Sequence, residues 1–298
     1  MLKEYQNYIW LHLIVLIWGL TGIFGKLITL DSGSLVWYRL LIAIAGIGVY
    51  FIYRKHNVIV SKKNLLKFFG VGFIIAIHWV TFFESVKQSN VSVALVCFST
   101  GTLFASILEP LFFKRKVKWY EVLFGFFIVG GILCIFSFEF QYKLGISLAI
   151  FSAFLASLFT VCNGLLIRET NAKTISFYEL IGSLLLVSVY LIIQGKFNAG
   201  LFNVSWSDFQ WLLILGLLCT AFAFIKSVDL MKELTPYTIT ISVNMEPIYS
   251  IIIAVIIWPE SEVMSIGFYV GTAIILTTIF LNAWYKRRER LNQKKLLL

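Results

Sequence analysis

The chain has 298 residues, 59% of them apolar and only 13% charged, with a formal net charge of +10. Soluble domains carry about 25% charged residues, so a water-facing surface cannot be covered and a soluble enzyme or binding domain is excluded. The cations are spread over short segments between apolar runs and form no groove, which argues against a nucleic-acid partner.

A helix rising ~1.5 Å per residue crosses a ~30 Å hydrocarbon layer in about 20 residues. Runs of that length are predicted at 8–28, 34–53, 68–86, 91–113, 119–137, 144–167, 174–193, 209–230, 237–258 and 264–285. The first is full length and lacks a small-residue cleavage pattern after it, so it reads as a retained helix. The longest connections, 54–67 and 194–208, are too short to fold as domains, which places any function inside the membrane. Cys97, Cys134, Cys162 and Cys219 all fall within runs and none has a Cys-x-x-Cys neighbour. They read as small packing residues, so no disulfide, metal site or cofactor is expected.

Short loops rich in Lys and Arg stay cytoplasmic. With the N-terminus inside, the inner segments hold Lys3, the cluster Arg54, Lys55, Lys62, Lys63 and Lys67, the cluster Lys114, Arg115, Lys116 and Lys118, then Arg168, Lys173, Lys232 and the basic tail. The outer loops hold Lys87, Lys143 and Lys196. A multi-pass protein of the inner (plasma) membrane with both termini cytoplasmic is expected, its basic loops attracted to anionic lipid heads.

Residues 84–116 lie on 229–261 without a gap, placing Lys87 on Lys232, Asn90 on Thr235, Ser99 on Asn244 and Arg115 on Glu260. Upstream, 34–40 lies on 174–180, which aligns Arg39 with Glu179. Five runs per copy is an odd number, so the copies must enter from opposite sides. The predicted fold is an all-α integral membrane protein, its ten transmembrane helices forming two inverted five-helix repeats at 1–140 and 141–285, followed by a basic tail at 286–298. Inverted repeats can exchange conformations, which is the mechanical basis of alternating access around a midplane site.

An ionisable side chain deep in the bilayer is costly and therefore informative. Glu246 falls near midplane of the ninth run, followed by Pro247, which frees the Val243 carbonyl. It is a candidate substrate or proton site; the bland alternative is a carboxyl that steadies the kink. On a continuous helix Asn244 would lie about 200° away from it, so the two should not share one narrow groove. His78, near midplane of the third run, could relay protons with Glu246 or simply bond a neighbouring helix. Arg39 and Glu179 are candidate gate charges, with Glu84 the outer partner considered for Arg39, and Arg168 and Lys226 the inner partners considered for Glu179. Lys226 and Asp229, at i and i+3, favour a local pair. Glu109, before Pro110, reads as an interfacial or inner-gate residue. Ser99, Asn163 and Asn244 are the neutral polar candidates for substrate binding, and Trp18, Trp79 and Phe82 could wall a pocket. No catalytic residue is singled out.

Small residues recur at Gly19, Gly22 and Gly25, where helices could slide, and at Gly267 and Gly271, which read as packing between repeats or a homodimer seam. Trp10, Trp37, Trp119, Trp206, Trp258 and Trp284 sit at run ends, where an interfacial belt is expected.

Trp18-Gly19, Tyr38-Arg39, Glu246-Pro247 and Glu260, at these spacings over nearly the whole chain, resemble the EamA-type branch of the drug/metabolite transporter superfamily. Three positions depart from that pattern: Lys114-Arg115 follows the fourth run, only the glutamate survives after the ninth in Trp258-Pro259-Glu260, and Gly101-Thr102 faces Glu246-Pro247. The resemblance implies a secondary carrier of small organic metabolites, amino acid-like or amphipathic, often an exporter. Its partners would be the substrate, the lipid bilayer and, in the proton-coupled case, a proton. An intramembrane enzyme is the contrasting class, but neither His-Glu-x-x-His nor Gly-x-Ser-x-Gly occurs. A non-transporting membrane sensor or assembly subunit is the third class. No P-loop is present for ATP-driven work.

Overall fold

A computed structural model describes residues 2–296. Among these every regular element is helical: α1 (Leu2–Leu27), α2 (Ser32–Arg54), α3 (Lys62–Gln88), α4 (Val91–Phe98), α5 (Gly101–Phe113), α6 (Trp119–Phe138), α7 (Lys143–Leu166), α8 (Ala172–Ile193), α9 (Trp206–Gly216), α10 (Ala223–Leu230), α11 (Pro236–Val243), α12 (Glu246–Ile257) and α13 (Ile266–Leu296). Among the described residues these build nine spans long and apolar enough to cross a membrane, with the shorter apolar stretch Ile266–Asn282 of α13 as the tenth; α4 with α5, α9 with α10, and α11 with α12 each form one span. The third span starts at Lys62, earlier than its apolar run, because Ser61 caps it by accepting from the Asn64 N–H at 3.2 Å. The tail predicted at 286–298 continues α13 as helix to Leu296; residues 297–298 lie outside the described residues.

The two repeats carry the same local signals in the same register. Asp31 and Asn171 cap α2 and α8 from equivalent positions, accepting from the N–H groups of Ser34 and Thr174. Asn90 and Thr235 likewise cap α4 and α11. Both following helices then break at equivalent residues, Ser99-Thr100 and Asn244-Met245. There ψ is −16° and −11° in the first copy and −3° and −16° in the second, well off the helical value near −42°.

The breaks have different causes. In the ninth span Pro247 has no N–H to give, and the Met245 N–H turns to Ser242. In the fourth span no proline is involved. The Ser99 and Thr100 hydroxyls bond back to the carbonyls of Leu95 and Cys97 at 3.1 and 2.7 Å, competing with the helical ladder. The eighth span is loosened in a third way: residues Leu217–Phe222 form a π-helical turn, and the Thr220 hydroxyl donates to the Leu215 carbonyl at 2.7 Å.

Contacts between spans come in exchanged mates. The third span packs on the sixth and the eighth on the first; the third packs on the seventh and the second on the eighth; the fourth packs on the sixth and the first on the ninth. The second with the seventh, the fourth with the ninth and the fifth with the tenth pair across the same axis. In lipid such association rests on close packing, not on expelling water. Gly72 sits so tightly on the Glu179 carbonyl of α8 that a Cβ there would overlap it. Gly267 and Gly271 meet Phe138 and Ile135 of the fifth span, so this small-residue face is filled within the chain. Gly19, Gly22 and Gly25 lie against Ser250, Leu95 and Phe83. The first span therefore rests on the halves of both broken helices.

Candidate functional site

The breaks of the fourth and ninth spans meet at the centre, where the Asn244 amide bonds the Thr102 hydroxyl. A cavity opens beside them. Its lining includes Trp18, Arg39, His78, Trp79, Phe82, Phe98, Phe159, Phe224, Asn244 and Glu246. It runs from Arg39 and Phe82, in the half away from the termini, to Ser227 and Met231 at the terminus-bearing end of the eighth span. Six Trp and Phe side chains form the largest part of its wall by size, beside one guanidinium and one carboxyl.

Arg39 is buried, and its placement differs from the gate expected of it. Its Nε donates to the Thr220 hydroxyl at 2.5 Å and its guanidinium lies 4.0 Å from the Trp79 ring centre. Glu84, the partner considered for it, instead accepts from Ser32 and Gln88. The π turn explains the difference, because it carries Thr220 to the guanidinium. Arg39 and Glu246 line the same cavity.

Asn244 and Glu246 both line the cavity, which overturns the expectation from a continuous helix. The break at Asn244-Met245 ends α11 before the helical rotation that would have separated them.

His78 lines the same cavity, between Phe98 and Phe159 with ring centres at 5.6 and 5.4 Å. Its Nδ1 lies 3.1 Å from the Ser152 carbonyl oxygen and 2.7 Å from the Ser152 hydroxyl. A carbonyl can only accept, so Nδ1 carries the proton and, in the neutral ring, Nε2 is the acceptor. The Ser152 hydroxyl returns its own proton to the His78 carbonyl at 2.9 Å. The bond to a neighbouring helix is thus present, and the ring still faces the cavity lining shared with Glu246.

Other candidates lie elsewhere. Ser99 is spent on the Leu95 carbonyl and is absent from the lining. Asn163 donates to buried Glu179 at 3.3 Å, away from the cavity. Neither Arg168 nor Lys226 reaches Glu179; their charged ends sit over the rings of Phe113 and Trp10. Both cations sit at the membrane face, whereas Glu179 is buried at the α3–α8 contact beside Gly72. Lys226 does form the local pair with Asp229, at 3.7 Å. Trp37 is no belt residue: it is 7% exposed and donates to Ser188 at 3.0 Å.

Two carboxylates clasp the crossing helices, one at each end. Glu109 on α5 accepts the Tyr237 N–H of α11 at 2.7 Å and meets Arg115 at 3.3 Å. On the opposite face buried Glu262 accepts the Ser92 N–H of α4 at 3.0 Å and pairs with Lys26 at 2.8 Å. Anions at helix N-termini are favoured by the exposed N–H groups and the helix dipole. Sequence reasoning singled out Glu260, which is exposed, and passed over Glu262 two residues on. The signal was Lys26, the one Lys or Arg inside the first apolar run.

The EamA-like transporter family matches at residues 6–137 and 143–284, nearly the whole chain and once per repeat. The chain belongs to this family. It is 23% identical over 251 residues to the "Uncharacterized transporter YxxF" of Bacillus subtilis (strain 168), covering 80% of this chain and 78% of that one. A solved crystal structure shares the fold, with a TM-score of 0.67 at 14% identity over 92% of this chain and 96% of its own. The protein is a multi-pass membrane transporter by family, which points away from enzymatic work.

Proposed function

We propose that this EamA-family chain is a secondary carrier that exports small amino acid-like or amphipathic metabolites by alternating access across the inner (plasma) membrane. The observation that carries this reading is the central cavity, where Arg39 and Glu246 offer opposite charges within an aromatic wall. Arg39 suits a carboxylate, Glu246 and Asn244 suit an ammonium or other donor, and the rings of Trp18, Trp79 and Phe82 suit an apolar body. Both breaks border the cavity, so rocking either half-helix would change access to it.

Proton coupling is assigned to Glu246, with His78 as its partner. The cavity extends toward the face that bears the termini, which the basic loops assign to the cytoplasm. The Glu262–Lys26 clasp lies on the other face, beyond the end of the cavity lining. This arrangement corresponds to loading from the cytoplasm. The test is substrate-dependent flux through purified protein in proteoliposomes, with a panel of amino acids and amphipathic metabolites. Saturable flux of a zwitterionic or amphipathic compound supports the reading. Product formation without flux would turn it toward an enzyme.

A further inference from the structure

A second groove lies apart from the central cavity, on the face bearing the termini, between the second, seventh and eighth spans. Its rim carries Lys173, Lys226 and Lys232 with the single lining carboxylate Asp229. Asp229 is shared by two of the lysines, at 3.7 and 2.8 Å, while the Lys173 ammonium has the Tyr50 hydroxyl at 2.7 Å. Three ammonium groups against one carboxylate leave the rim cationic. Above it the groove is lined by Ile47, Leu217, Ala221, Phe222 and Ile225. Leu217 and Phe222 are 45% and 40% exposed, so this shaft is open sideways to lipid.

Depth identifies the occupant. Leu217 stands roughly 13 Å above Lys226 along the eighth span. One leaflet of hydrocarbon is about 15 Å deep. The apolar shaft is therefore one leaflet deep with its cationic rim at head-group level. We propose that this groove binds one anionic phospholipid of that leaflet, its phosphate at the lysines and an acyl chain along the shaft. The π turn Leu217–Phe222 forms part of the shaft and, through Thr220 and Cys219, also holds Arg39 and Trp18 of the central cavity. A lipid in the groove thus packs on the segment that positions Arg39.

Native mass spectrometry of the full chain released from bilayers containing equal phosphatidylglycerol and phosphatidylcholine tests this. The wild type should retain one phosphatidylglycerol in preference to phosphatidylcholine. Lys173→Gln with Lys232→Gln should cut that preference about 25-fold, from roughly fivefold per lysine. Ala221→Phe, which fills the shaft and leaves the charges intact, should also release the lipid. Equal retention of the two lipids by the wild type, or an unchanged preference in the lysine variant, would overturn the proposal. So would retention that needs the lysines but survives Ala221→Phe, since that describes head-group attraction with no acyl chain in the shaft.

Discussion

The guanidinium carbon of Arg39 lies 4.0 Å from the centre of the Trp79 ring, while its Nε donates to the Thr220 hydroxyl at 2.5 Å. A buried cation is thereby presented to a cavity without a direct ion pair. Lysine can offer the charge but not a planar group that stacks and bonds together. Arg39→Lys is expected to lower initial transport rates at least ~10-fold at equal reconstituted protein. Trp79→Leu removes a desolvated cation–π contact of about 2 kcal/mol and should weaken apparent substrate affinity by more than tenfold. Rates within twofold of wild type in both would contradict this role.

Ser99 and Asn244 occupy equivalent positions in the repeats but different surroundings. Asn244 reaches the cavity and Thr102, whereas Ser99 is bonded back to its own helix. Asn244→Ala should reduce transport strongly, and Ser99→Ala should leave it within about twofold, the scale of one weak local hydrogen bond. Parallel flux assays of the two variants check this; equal effects would remove the asymmetry.

Glu262 ties the N-terminus of α4 to Lys26 on the face away from the termini. Glu262→Gln keeps the shape but loses the charge that binds both. A cysteine placed at Thr21, on the cavity lining, should then react faster with an impermeant maleimide added from that face, in a background without native cysteines. Labelling as slow as in the Glu262 parent would show that the clasp does not limit access.

Neighbouring glycines test the packing of the fifth span on the tenth. A Cβ on Gly131 would stand 2.7 Å from Ile275 Cγ1 and 3.0 Å from the Gly271 carbonyl, whereas one on Gly130 meets nothing within 4 Å. Gly131→Val should destabilise by about 1–3 kcal/mol, the usual cost of overpacking, and Gly130→Val should not. Thermal unfolding in one detergent compares them directly; equal midpoints would contradict the contact.

Much of this architecture could be read from residue spacing. The gapless overlay of 84–116 on 229–261 already carried the matched caps Asn90 and Thr235 and the matched breaks. What escaped was the consequence of the breaks. Counting 100° per residue through Asn244 and Glu246 assumes a helix that stops at Val243, and the fourth span breaks through serine and threonine hydroxyls with no proline as a flag. Glu262 escaped because burial depends on which helix end faces it, and Lys26 lies far away in sequence. The π turn, which brings Thr220 to Arg39, has no marker residue in the sequence. Pairing Arg39 with Glu84 matched charge and depth but not helix face.

The central claim is that the cavity beside the broken helices is the working site, with Glu246 in it. Counterflow in proteoliposomes, comparing the wild type with Glu246→Gln over a range of pH, tests it most directly. Saturable wild-type flux is expected, with its pH dependence lost in the variant together with most of the rate. Equal flux and an unchanged pH profile in the two proteins would contradict it and reduce Glu246 to a support for the kink.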